Sequence, residues 1–146
     1  MLKKLKAIFS AADVPEDDSE SKIRVSLAAL LIEMARADFD QTDKENAQIS
    51  ALLAAHFTIS KAEALELLDE AQIATNDAVS LHDFVRALHT TLTARERLKV
   101  IELLWQVALA DNRLDKYEDH LVKKIADLMY VPASDVLRLK HAVIGD

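Results

Sequence analysis

Cysteine is absent from the 146 residues, so disulfides, thiolate metal sites and thiol nucleophiles are all excluded. Glycine occurs once and proline twice, which leaves little from which to build tight hairpin turns. Aromatic residues are only 5% of the chain, so the hydrophobic 51% must form an aliphatic core of Ala, Leu, Ile and Val, a helical composition. No apolar run approaches the roughly 18 residues that a membrane span needs, and no secretory h-region with a cleavage site is present. Cations are the scarcer charge, 18 against 25 anions, for a net −7. Three of them, Lys3, Lys4 and Lys6, stand in the first ten residues, which leaves 15 against 25 for the rest. Such an acidic body argues against nucleic acid as a partner and favours cations or basic proteins. The expectation is a soluble, cytoplasmic, all-α protein of one domain, long enough for a core of its own.

What is present divides at about residue 20. Leu2, Leu5, Ile8 and Phe9 lie at helical spacing among the lysines, and Asp13 to Glu20 reads as an acidic linker interrupted by Pro15. Residues 1–20 are thus expected to be an amphipathic segment with its linker, and 21–146 the helical domain, with seven or eight helices in all. Ile23, Leu27, Leu30, Leu31 and Met34 make the stripe of a long helix, and Ile49, Leu52 and Leu53 mark the next. Ser60 with Glu63 and Thr93 with Glu96 have capping-box spacing, and Ser80 with Asp83 repeats it. Residues 74–78 are expected to be a polar loop. Trp105 falls on the inward stripe of a second long helix, and Pro132 ends its partner before Ser134 restarts a last one.

One pattern occurs twice. A Leu-Leu-led helix leads through Ala37-Asp38 to Glu45, and again through Ala110-Asp111 to Glu118, at a constant offset of 73 residues. Ser60 and Pro132 follow their helix pairs at an offset of 72. Three helices per copy have therefore been duplicated, with helix pairs 21–38/43–56 and 94–110/116–130, and the acidic turn was kept in both copies. The second copy, Ala110-Asp-Asn-Arg-Leu-Asp-Lys-Tyr-Glu118, resembles the Ala-Asp-Gly-x-apolar-x-x-x-Glu signature of the TerB-like family, named after a bacterial tellurite-resistance protein. The first copy keeps Ala37, Asp38 and Glu45 but has Phe39 for the glycine and Gln41 for the apolar residue. The resemblance covers roughly residues 21–144. It implies an all-helical fold and a role in bacterial stress responses, including tellurite resistance, without naming a biochemical activity.

The turns are the candidate site. Asp38, Asp40, Asp43 and Glu45 gather in the first, and Asp111, Asp115, Glu118 and Asp119 in the second, an all-oxygen set suited to calcium or magnesium. The EF-hand pattern is not met, because position 12 counted from Asp38 is Ile49 and the glycine is missing. A metal would then be held weakly, or shared between the turns, through Asp38, Asp40, Glu45, Asp111, Asp115 and Glu118. Glu45 and Glu118 have a second role open to them, since Thr42 and Asp115 precede them at capping-box spacing.

Two other function classes stand beside this one. His56, His82-Asp83 and Asp111 repeat the order of an H…HD…D metal-dependent phosphohydrolase, although Asp83 is also placed to cap Ser80. A helical interaction adaptor is the other, with a protein partner and no catalysis. His82, Arg86 and His89 share one face that reads as a solvated stripe, and His120 and His141 read as surface. Residues 1–11 are suited to a weak peripheral contact with the inner face of the membrane, or to packing on their own domain.

Overall fold

The computed structural model describes residues 16–36, 43–77, 80–110 and 116–145, at 16–19 and 43–45 for the backbone alone. Seven helices and no strand occur among them: α1 (Glu16–Arg36), α2 (Asp43–Phe57), α3 (Lys61–Asn76), α4 (Leu81–Thr91), α5 (Ala94–Ala108), α6 (Lys116–Leu128) and α7 (Ala133–Ile144). None is long and apolar enough to cross a membrane. The amphipathic segment 1–11 lies outside the described residues.

Helices α1 and α5 form the centre of the bundle. The first packs on α2, α3, α4 and α5, and the second on α6 and α7 as well as on α1 and α2. From Val25 to Ile32 every residue of α1 is buried, so this helix has no solvent face there. Sequence reading expects a stripe; Ala28, Ala29 and Ala35 bury the other faces too, because a methyl side chain lets several neighbouring helices approach closely. Trp105 of α5 is completely buried, and its indole Nε1–H donates to the Val136 carbonyl oxygen of α7 at 3.0 Å.

The helix starts follow local chemistry. Ser60, Ser80 and Thr93 each accept a hydrogen bond from the backbone N–H of Glu63, Asp83 and Glu96, and each donates its own N–H back to that acid. All three carboxyls are held below their ordinary range, chiefly by the bond from the cap's backbone N–H. Three boundaries differ from expectation. The acidic run 16–20 is helical rather than linker, a sequence that the positive end of a helix accepts well. Helix α3 runs into the expected loop as far as Asn76, and Ala74 is buried in the core. The last helix opens at Ala133, with Pro132 at its N-cap position and no side-chain cap bond, rather than being started by Ser134.

The duplication also appears in the backbone, two residues before Ser60 and Pro132. Thr58 and Tyr130, 72 residues apart, are the two non-glycine residues with positive φ among those described, at 54° and 58°. Each follows the end of its helix, and each is bracketed by the same six-to-one bond: Ile59 N–H to the Ala54 carbonyl at 3.0 Å, and Val131 N–H to the Ala126 carbonyl at 2.9 Å. These are matching Schellman corners, satisfying helix-end carbonyls with a left-handed residue that is usually glycine.

Candidate functional site at the acidic turns

Helix α1 ends where the first acidic turn begins, and its last residue is anchored. The Arg36 guanidinium donates to Asn76 Oδ1 at 3.1 Å and to Gln72 Oε1 at 3.4 Å, both on the last turns of α3, and lies 3.7 Å from Glu33. Beyond the turn, Gln48 on the second turn of α2 donates through Nε2 to the Gln106 carbonyl oxygen at 3.2 Å, on the last turn of α5. The helix end that opens the second acidic turn is thereby tied to the helix start that closes the first. The start of α2 and the end of α5 thus lie at one pole of the bundle. Sequence reading missed Arg36 and Gln48 because both act across 36 residues or more.

Asp38, Asp40, Asp111 and Asp115 lie outside the described residues, as do Phe39 and Asn112. Glu45 lies on the first turn of α2, with its side chain outside them. Glu118 is described: it stands on the first turn of α6 and is only 3% exposed. Burying a carboxyl group so completely costs about 2 kcal/mol or more unless it is hydrogen-bonded, so burial in the fold is part of its role.

Asp119 does not belong with the turn acids. Its carboxylate pairs with Lys123 Nζ at 2.7 Å and with Lys140 Nζ of α7 at 3.3 Å. Partial burial pushes its carboxyl up, but hydrogen bonds from the two ammonium groups outweigh this and hold it below the ordinary range. Lys140 also sits 5.3 Å above the Trp105 ring, so Asp119 fastens α6 to α7 over the buried indole.

Of the histidine constellation, His56 and His82-Asp83 stand on different helices, and Asp111 lies outside the described residues. His56, at the end of α2, lies edge-on to Phe57 with ring centroids 4.7 Å apart; burial first, and Lys99 second, hold its imidazole below the usual value. Asp83 is committed: its carboxylate accepts from the Ser80 N–H and hydroxyl at 3.1 Å and from Arg86 at 2.9 Å. Among the described residues no three His, Asp or Glu side chains are grouped so as to hold a metal ion. His120 and His141 are exposed as expected, whereas His89 is partly covered by Tyr130 and Arg97, so the face it shares with His82 and Arg86 is not simply solvated.

The model of the family described as Tellurite resistance protein TerB matches residues 24–141, a span that runs from α1 into α7 and takes in both acidic turns. No curated protein and no solved structure matches the chain. The family match covers most of the sequence, and it agrees with the all-helical fold and with the motif repeated at Ala37-Asp38 and Ala110-Asp111: the chain belongs to the TerB family.

Proposed function

We propose that this chain is a non-catalytic binding module of a bacterial stress response of the tellurite-resistance kind, working in the cytoplasm. Its two acidic turns together form one site for a divalent cation, calcium or magnesium. The observation that carries this reading is the Gln48 to Gln106 hydrogen bond, which sets the helix ends flanking the two turns side by side. Neither turn alone has the ligand count of an EF-hand, whereas Asp38, Asp40 and Glu45 with Asp111 and Asp115 supply enough oxygens for a hard cation. Glu118, being buried, serves as the anchor of the second turn rather than as an outward ligand.

Calorimetric titration of the metal-stripped protein with calcium, magnesium and zinc tests it. Heat with calcium or magnesium that vanishes in Asp38→Ala supports the cation site. Heat with none of the three, together with capture of a basic peptide, assigns the pole to a protein partner instead.

A further inference from the structure

We propose that a groove between α4 and the α6–α7 corner binds a phosphate-type oxyanion carried on an apolar or aromatic body, at a site separate from the acidic pole. The groove holds about 640 Å³, with His82, Arg86 and His89 on its α4 wall and Asp127, Tyr130 and Pro132 facing them. Residues 116–126 of α6 lie between it and the second acidic turn, roughly 16 Å at the rise of an α-helix.

Arg97 of α5, which does not line the groove itself but touches its wall through His89, is the reason to expect an anion. Its Nη1 donates to the Met129 carbonyl oxygen at 3.1 Å and lies 3.1 Å from His89 Nδ1, and its Nε is buried with no hydrogen-bond partner. Among the described residues it pairs with no carboxylate. A partly buried guanidinium held only by neutral acceptors leaves its charge uncompensated, which is costly unless an anion comes near. Because a guanidinium only donates, His89 Nδ1 accepts, and the ring proton therefore sits on Nε2. His89 thus offers the groove a donor backed by a positive charge. Arg86 adds a second cation, shared with Asp83, whose carboxylate is already divided between Ser80 and Arg86. Asp127 is the opposing charge on the groove wall.

Tyr130 supplies the other half of the recognition. It is 77% exposed, and its ring lies 5.0 Å from that of His89. The equivalent corner of the first copy has Thr58, so the Schellman geometry does not require an aromatic residue here. A bare phosphate would leave most of the groove empty, while Leu128, Pro132 and Ala133 offer apolar surface to a larger body.

The test is NMR titration of the full chain with phenyl phosphate, inorganic phosphate and phenol, following the backbone amides of 82–89 and of Tyr130, Val131 and Ala133. Phenyl phosphate should bind and shift these signals, more tightly than either of the other two. Arg86→Gln and His89→Gln should each weaken it about fivefold, the order expected of one charge-assisted hydrogen bond at an exposed rim. Removing the opposing charge by Asp127→Asn should tighten it. No shift with phenyl phosphate overturns the proposal. So does phenol binding equally well, which would mean an apolar groove without anion recognition, or binding unchanged in all three variants.

Discussion

Replacing Thr58 by glycine should stabilise this protein, against the usual direction of core-adjacent substitutions. Thr58 holds φ at 54°, where a β-branched side chain is least at ease. The left-handed region costs a residue with a Cβ about 1–2 kcal/mol. Glycine gives back about 0.5–1 kcal/mol through the greater entropy of its unfolded chain. The net gain is about 0.5–1 kcal/mol, or about 1–4 °C in Tm for a chain of this size. Thr58 is exposed, so little packing is lost, and the Ile59 to Ala54 bond involves backbone atoms that the substitution leaves in place. Thr58→Ala is the control: it keeps the Cβ, hence the strain, and should gain nothing. Tyr130→Gly relieves the same strain but loses the ring contact with His89, so its gain should be smaller. Differential scanning calorimetry on the three variants decides the matter. If Thr58→Gly lowers Tm, or if Thr58→Ala stabilises as much as glycine does, the argument from the left-handed corner is wrong.

Three further outcomes are expected. Trp105→Ala should cost about 3–5 kcal/mol by urea denaturation, since it empties a fully buried site and removes the bond to the Val136 carbonyl. Glu63, Asp83 and Glu96 have lowered pKa values, so their contribution to stability is complete above the ordinary carboxylate range and is lost as pH falls from about 4 through their native values. The urea midpoint should accordingly fall less steeply between pH 5 and pH 2 in the triple variant Glu63→Gln, Asp83→Asn, Glu96→Gln, by about the same sense at each box. Glu118→Ala should cost about 1–3 kcal/mol of unfolding free energy because it empties a buried position, whereas Asp38→Ala and Asp40→Ala should leave thermal stability nearly unchanged.

Local rules made most of the fold legible in the sequence. The capping boxes at Ser60, Ser80 and Thr93 depend on residues three apart, and the structure reproduces all three. Trp105 was readable from the apolar stripe of its helix, and the duplication from the constant spacing of the acidic motif. What could not be read depends on tertiary context. The start of α1 at Glu16 lies in a run whose composition suits a linker as well as a helix terminus. The all-round burial of α1 follows from how many helices surround its alanines, which a single helix pattern does not contain. The left-handed corners carry Thr58 and Tyr130 rather than glycine or asparagine, so no turn residue announced them. Asp119 reads as a turn acid because it is close to them in sequence, whereas its second cation, Lys140, comes from α7. The contact of His89 with Arg97 crosses the α4–α5 corner, and that is why three residues on one face of α4 read as a plain solvated stripe.

The central claim is that two turns, one from each copy, make a single cation site. A double-mutant cycle on calcium affinity tests it most directly, using Asp38→Ala, Asp111→Ala and the pair together, each measured by calorimetry on metal-stripped protein. A shared site predicts one calcium per chain, lost almost as fully in either single variant as in the double. Two independent binding events whose losses simply add, or an affinity that neither substitution changes, would contradict it.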